Sequence, residues 1–316
     1  MKKALYSAKK KGKKPEKEAA HLPVARTAWS TAPAQFKSWH RCHDQLVEAA
    51  AAYVPATNTG PSRLALIGDS ITESWRGTSI CRSIGRCRGV PDVLAETLGK
   101  RWPQPVVLGI AADHTQHLLW RLEQGELSAA MKADPKLISV LLIGTNNLGR
   151  GHTAEETLAG IDAVIEMLLT KTRGRLLVNA LFPRGDAAKR KYADTKVGVT
   201  ADGAPTHTDR TESCRSFSCW RDRRIAGRPI KSFAPLIARV NAALNASVAQ
   251  TARRYAGRVG YVACGESYAL GNSVHTELMP DTLHPNARGY QLWAACLTPA
   301  VTALEQQPLL ALAPPA

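Results

Sequence analysis

The chain lacks any long uninterrupted apolar run. Nowhere do the ~18 consecutive apolar residues of a membrane-spanning helix occur, and the first thirty residues hold no apolar block of the ~7–15 residues that a secretory leader requires. The expectation is a soluble protein without an export segment, with a cytoplasmic location favoured. Acidic residues are also scarce: 26 Asp and Glu stand against 42 Lys and Arg, a formal net charge of +16. Much of the excess crowds the N-terminus as Lys2, Lys3, Lys9, Lys10, Lys11, Lys13, Lys14 and Lys17 with little apolar company, so residues 1–25 read as a disordered basic arm. Clustered lysines attract nucleic acid or anionic membrane by Coulomb attraction and counterion release. Tyr6 is the one aromatic group among these lysines and no arginine is interleaved to read such a partner, and a solvated tail is the simpler reading.

Metal-binding spacing is missing as well. Of the seven cysteines, Cys81 and Cys87 bracket one Gly/Arg-rich loop and Cys214 and Cys219 another; the first spacing is wider than C-x2-4-C, and neither comes with a matched histidine pair. Closed loop disulfides and free thiols both stay open, and disulfides together with the Asn245-Ala246-Ser247 sequon would suit a secreted protein whose leader is absent. His40 and His43, three apart, do not have the spacing of HExxH and read as histidines packed at the edge of a core. There is no internal repeat.

What is present is an alternation of short apolar runs with helical patterns. With 316 residues and 44% apolar content the chain can bury one substantial core. Leu64 to Ile67, Val106 to Leu108, Leu137 to Ile143, Leu176 to Leu181 and Val259 to Ala263 read as strands. Between them lie helical stretches, which implies an α/β architecture with a parallel sheet. A helix is predicted from Gln35 to Ala52 on the stripe Phe36, Trp39, Leu46 and Val47. Another opens at Thr153 with a capping box to Glu156 and carries Leu158, Ile161, Val164, Ile165, Leu168 and Leu169 on one face. A last helix starts near Ala287, and Pro299 is predicted to end or kink it. Two stretches break the rhythm, 76–104 and 186–232, and both read as insertions. The predicted organisation is the arm, a single domain over 26–308 with these insertions, and a tail at 309–316.

In a parallel sheet, ligands gather at the carboxyl ends of the strands. Four polar elements fall there: Gly68-Asp69-Ser70, Gly109-Ile110-Ala111-Ala112-Asp113, Gly144-Thr145-Asn146-Asn147, and Asp281-Thr282-Leu283-His284-Pro285 ahead of the last helix. A serine hydroxyl becomes a nucleophile when an imidazole accepts its proton, and a carboxylate fixes that imidazole's tautomer. Ser70, His284 and Asp281 supply the three groups. The Ser70 N–H, the Ala112 N–H and the Asn146 side-chain amide are candidate donors to an oxyanion. Each motif has a bland alternative: an ordinary turn, an Asx-bonded loop, or a helix entry capped by Asp281.

Taken together the motifs resemble the SGNH (GDSL-type) hydrolases, and within them the catalytic alpha subunits of platelet-activating factor acetylhydrolase. The likeness extends through His117-Leu118-Leu119-Trp120-Arg121-Leu122-Glu123-Gln124-Gly125-Glu126-Leu127, His152-Thr153-Ala154-Glu155-Glu156 and Leu181-Phe182-Pro183-Arg184-Gly185, over about 63–186 and 230–304. The resemblance implies a flavodoxin-like three-layer α/β/α sandwich with a five-stranded parallel sheet in the order 2-1-3-4-5. It implies metal-free, cofactor-free hydrolysis of a small ester through an acyl-enzyme, with Ser70, Asp281 and His284 as triad and Ser70, Ala112 and Asn146 as oxyanion hole. It further implies that Ile71, Thr145 and Leu283 crowd the acyl group and favour acetyl, and it raises homodimer formation. One departure stands out: the family has Gly-Gly where this chain has Ala111-Ala112, and an alanine is strained there if the position needs a positive φ. The alternatives of another class are a non-catalytic binding or scaffold protein with the same fold, and an acyltransferase using the same site.

Overall fold

The computed structural model describes residues 18–26, 33–185, 197–199, 205–207, 224–225, 228–229 and 232–308. The Lys-rich stretch, most of 186–232 with Cys214 and Cys219, and the tail at 309–316 lie outside these residues.

Five parallel strands form the central sheet: β1 (Arg63–Gly68), β2 (Val106–Gly109), β3 (Leu137–Leu142), β4 (Arg175–Asn179) and β5 (Val259–Val262). Their spatial order is 2-1-3-4-5. Strands β1, β3 and β4 are almost wholly buried, as expected of parallel strands covered on both faces. The chain steps outward from β1 to β2 and then turns back across β1 to β3, β4 and β5. Right-handed crossovers therefore put the helices of the β1–β2 connection on one face, where the C-terminal helix joins them, and the helices of the three later connections on the other, and leave a crevice at β1 and β3 where the direction reverses.

The principal helices are α1 (Pro33–Ala51), α2 (Ser70–Glu73), α3 (Val90–Glu96), α4 (Thr115–Arg121), α5 (Thr145–Gly149), α6 (Ala154–Lys171), α7 (Ala234–Arg254) and α8 (Ala287–Gln306). Helix α6 starts with the predicted capping box: Thr153 N–H donates to Glu156 Oε2 at 2.7 Å and Glu156 N–H to Thr153 Oγ1 at 3.1 Å. Its buried face is Ile161, Val164, Ile165, Leu168 and Leu169. Helix α8 does not end at Pro299, one of the two predicted outcomes, but runs on to Gln306. The proline removes one backbone donor, but the face Tyr290, Trp293, Leu297, Val301 and Leu304 is buried on both sides of it. Burial of such side chains, ~1.5–3 kcal/mol each, outweighs a local penalty of ~3 kcal/mol.

The stretch 76–104 is folded rather than a bare connection. It forms a short antiparallel ribbon, Thr78–Ser79 with Arg82–Ser83, and then α3. Nor does Cys81 close a small loop with Cys87: Cys81 is bonded to Cys42 on α1, and Cys87 is a buried free thiol. A second disulfide, Cys264–Cys296, ties the end of β5 to α8. The pairings are non-local because the partner of each loop cysteine sits on a helix that packs beside it, which spacing along the chain does not reveal. His40 and His43 lie against Trp39, and His43 Nδ1 is 2.8 Å from Glu126 Oε1. Residues 18–26, in part assigned to the arm, pack on the domain: Ala20 is buried, and Val24 N–H donates to the Gln116 carbonyl at 3.1 Å. No described helix is long and apolar enough to cross a membrane.

Closing loops of 39 and 32 residues should contribute about 3–4 kcal/mol per disulfide through the unfolded chain. Peptide mapping of the unreduced protein is expected to recover Cys42 with Cys81 and Cys264 with Cys296, and Cys87 alkylated only after unfolding. Reduction is expected to lower the melting midpoint.

Candidate active site

Strand β1 ends at Gly68, and Asp69 turns the chain into α2. Its Oδ1 accepts the Ile71 N–H at 3.0 Å, a side-chain cap that starts the helix at Ser70. The Ser70 hydroxyl is only slightly exposed and lies 2.9 Å from His284 Nε2. His284 comes from the loop before α8, and Asp281 shapes that loop itself. Its Oδ1 accepts the N–H groups of Leu283 at 3.0 Å and His284 at 2.7 Å, while Oδ2 lies 2.6 Å from His284 Nδ1. The cap of α8 is Asn286, not Asp281, since Asn286 Oδ1 accepts the Gly289 N–H at 3.1 Å.

Burial alone would raise the Asp281 pKa, but the charge of His284 and the hydrogen bonds from its ring and from two backbone N–H groups outweigh it and hold the carboxyl well below its ordinary range. An ionised Asp281 takes a proton donor at Nδ1, which leaves Nε2 of the neutral ring to accept from Ser70. The three sequence-predicted triad residues therefore form one hydrogen-bonded chain.

The two other strand ends meet it. After β2, Asp113 N–H closes a turn onto the Ile110 carbonyl at 3.3 Å, with Ala112 at φ +66°. That is the second central position of a type II turn, normally glycine. After β3, Asn146 Nδ2 donates to the Asp113 carbonyl at 2.9 Å and lies 3.3 Å from Asp69 Oδ2. A single side chain thus bridges the loops that carry Ser70 and Ala112. Burial pushes Asp69 up to about 7, against the pull of the Ile71 N–H. Ile71, Thr145 and Leu283 are all buried, each one residue from Ser70, Asn146 or His284.

Sequence reasoning missed the polar layer underneath. Asp113 accepts from Arg121 Nε at 2.6 Å, Trp39 Nε1 at 2.7 Å and Arg26 Nη1 at 3.2 Å. Arg121 also pairs with Glu126 and donates to the Gly68 carbonyl at 3.2 Å. Arg184 Nη1 donates to the Thr145 carbonyl at 2.7 Å. Apart from Arg26 the residues stand in the stretches quoted above, but their mutual contacts cross the fold and leave no local spacing signal. Glu18, His114 and His117 bring possible metal-ligand atoms within 4.8 Å of one another. The His114 N–H, however, points at His117 Nδ1 at 3.2 Å, so the neutral ring bears its proton on Nε2, toward Glu18 Oε2 at 3.3 Å. That arrangement is a hydrogen-bonded pair, not a ligand set.

This geometry defines a doubly wound α/β protein with a Ser–His–Asp chain at its topological switch point. The model of the GDSL-like lipase/acylhydrolase family matches residues 66–292, and the chain belongs to that family. Among curated relatives, it is 45% identical over 78 residues to platelet-activating factor acetylhydrolase IB subunit alpha1 of Bos taurus, covering 24% of this chain and 31% of that one. Against subunit alpha2 of Homo sapiens the identity is 42% over 127 residues, covering 34% and 52%. The matches thus span about a third to a half of those relatives' length. Among solved structures, a GDSL-like lipase from Bacteroides thetaiotaomicron superposes with a TM-score of 0.54 at 16% identity, over 83% of this chain and 97% of that one, a likeness of fold.

Two outcomes follow from the site. Because Asp281 titrates below its reference value of 3.8 when folded, the stability it contributes is complete above about pH 4 and is lost as the pH falls below that. The melting midpoint of Asp281→Asn is expected to change less than that of the parent between about pH 6 and about pH 3. An L-residue in the left-handed region costs about 1–2 kcal/mol, against about 0.5–1 kcal/mol of extra chain entropy for glycine. Ala112→Gly is therefore expected to be as stable as the parent or up to about 1.5 kcal/mol more stable in urea, and Ala112→Val less stable than either.

Proposed function

We propose that the protein is a serine esterase that hydrolyses short-chain esters, chiefly acetyl esters, through an acyl-enzyme. The observation that carries this reading is the chain Ser70 Oγ, His284 Nε2, His284 Nδ1, Asp281 Oδ2, with links of 2.9 and 2.6 Å. Ser70 attacks the ester carbonyl while its proton passes to His284. The imidazolium is stabilised by Asp281 and returns the proton to the departing alcohol. Water, deprotonated by the same ring, then releases the acid from Ser70.

The negative charge on the tetrahedral oxygen needs donors fixed in advance, and the proposed ones are the N–H groups of Ser70 and Ala112 and Nδ2 of Asn146. The Asn146 amide has a short bond to the Asp113 carbonyl and a longer one to Asp69. The longer contact is the one a substrate oxygen would replace. Preference for acetyl is supported by the burial of Ile71, Thr145 and Leu283, each adjacent in sequence to a reacting or charge-stabilising group. The names of the matched relatives, acetylhydrolase subunits, agree with a two-carbon acyl group.

Ser70→Ala is expected to abolish turnover of p-nitrophenyl acetate and labelling by a fluorophosphonate probe, with the fold retained by circular dichroism. Persistent turnover would remove Ser70 from the mechanism. Asp281→Asn is expected to lower kcat ~10³- to 10⁴-fold by disturbing the imidazole tautomer. In a panel of acetyl, butyryl and octanoyl esters, kcat/KM should fall with acyl length, and Leu283→Ala should flatten that fall. Product analysis with added alcohols distinguishes hydrolysis from acyl transfer to an acceptor.

A further inference from the structure

Glu73 is the last residue of α2, four residues of helix that begin at Ser70. Its side chain is fully buried. A carboxylate taken out of water costs several kcal/mol unless it is paired and hydrogen-bonded, and this one has its acceptor sites filled from two separate segments. Oε1 accepts from Thr78 Oγ1 at 2.9 Å and from the Cys81 N–H at 2.6 Å; Oε2 accepts from the Ile80 N–H at 2.9 Å and from the Ala111 N–H at 2.6 Å. Arg76 Nη2 stands 3.4 Å from Oε1 and also donates to the Gly109 carbonyl at 2.8 Å. Three of the four donors come from the 78–81 segment, which the Cys42–Cys81 disulfide fastens to α1. The fourth belongs to the turn that carries Ala112.

That turn needs an anchor. Ala112 sits at φ +66°, where an L-residue is unfavourable, and flipping the Ala111–Ala112 peptide would convert the type II turn into type I and relieve the strain. The flip would also reverse the Ala112 N–H; it moves only that central peptide, so bonds to the Ala111 N–H and to the Asp113 side chain fix where the turn stands relative to its neighbours. Glu73 holds the near side of the turn through Ala111, and Arg121, Trp39 and Arg26 hold the far side through Asp113. Gly109 allows the contact: a Cβ there would lie 2.5 Å from the Glu73 nitrogen and 2.7 Å from the Asp69 carbonyl oxygen, so any larger residue would force α2 away from β2.

We propose that Glu73 is a positioning residue for acyl transfer: anchored by the disulfide-tethered 78–81 segment, its carboxylate fixes the Ala111–Ala112 turn relative to Ser70, so that the Ala112 N–H stands ready for the oxyanion. The inference rests on the esterase reading given above. One short helix then sets both the attacking oxygen and the frame of a charge-stabilising donor, and the distance between them is protected from loop motion.

The test uses the full chain. Glu73→Gln keeps the shape but turns an N–H donor toward groups that themselves donate. Its kcat for p-nitrophenyl acetate is expected to fall ~10²-fold, in the range of one lost oxyanion donor, with KM within about two-fold of the parent. Fluorophosphonate should still label the same final fraction of molecules, but at a rate reduced in parallel with kcat. A merely structural role would lower the labelled fraction and leave the rate per active molecule unchanged. Glu73→Asp retains the charge opposite Arg76 but withdraws the acceptor from Ala111. It is expected to lose about ten-fold in kcat at unchanged KM, and it serves where Glu73→Gln does not fold. Parental kcat in either folded variant overturns the inference. Ser70→Ala separates the two failures: absence of Ser70-dependent turnover in the parent defeats the esterase reading, whereas Ser70-dependent turnover that survives Glu73→Gln defeats only the role of Glu73.

Discussion

A hydrogen bond of 2.9 Å joins Ser70 to His284 across 214 residues of chain, and the proposed acyl transfer depends on it. No local turn or helix can make such a contact, and loop closure over that length is opposed by chain entropy. The sheet meets that cost. Strand β1 delivers Ser70 at its carboxyl end, and α8 packs its face of Tyr290, Trp293 and Leu297 beneath, with Trp75 against Tyr290 and Trp293 at ring separations of 4.5 and 5.3 Å. Tyr290 also donates its hydroxyl to the Ile71 carbonyl, so the helix that follows His284 is tied directly to the helix that begins with Ser70. Core burial, rather than the hydrogen bond itself, fixes the separation.

Below this rim lies a layer of buried charge, and its arrangement explains why the rim keeps its shape. Arg121 is fully buried yet touches Asp113, Glu126 and the Gly68 carbonyl, which belong to the second loop, the end of the α4 region and the first strand. Burial lowers the proton affinity of an arginine, but the two carboxylates more than compensate, and its pKa is raised. Replacing such a network with apolar side chains can leave stability unchanged, so its worth lies in orientation. Each charge has one set of partners, and moving any of them strands another in a low-dielectric interior.

Much of the fold and of the candidate triad was legible in the sequence because those signals are local. Apolar runs of strand length, the Thr153–Glu156 box and the Gly-Asp-Ser and Asp-x-x-His segments each carry their information within a few residues. What stayed hidden is relational. The sequence leaves open whether Cys81 is a free thiol or closes a small loop with Cys87, and its partner is instead on a helix 39 residues earlier. Glu73 follows Ser70 by three positions and looks like any polar residue of a short helix until the 78–81 segment and the Ala111 turn close over it. Pro299 carries a true local signal for a helix end, overruled by burial on either side. Residues 18–26 lie at the edge of a basic, apolar-poor segment, and only the partners of Ala20, Val24 and Arg26 reveal them as part of the packed body.

The alanine at 112 shows how these levels are coupled. Family resemblance calls for glycine, and backbone energetics agree, since φ is +66°. The turn that bears this methyl group is fixed at both ends, by the bond from the Ala111 N–H to Glu73 and by those to the Asp113 carboxylate. The same bonds are those that a fixed oxyanion donor requires. Strain at one residue and buried charge at Glu73, Asp113 and Arg121 therefore meet at one turn, whose proposed role is to hold an N–H toward the oxyanion. A glycine in that place would lower the strain but would also widen the range of conformations open to the turn, so the anchors would carry more of the task of holding it.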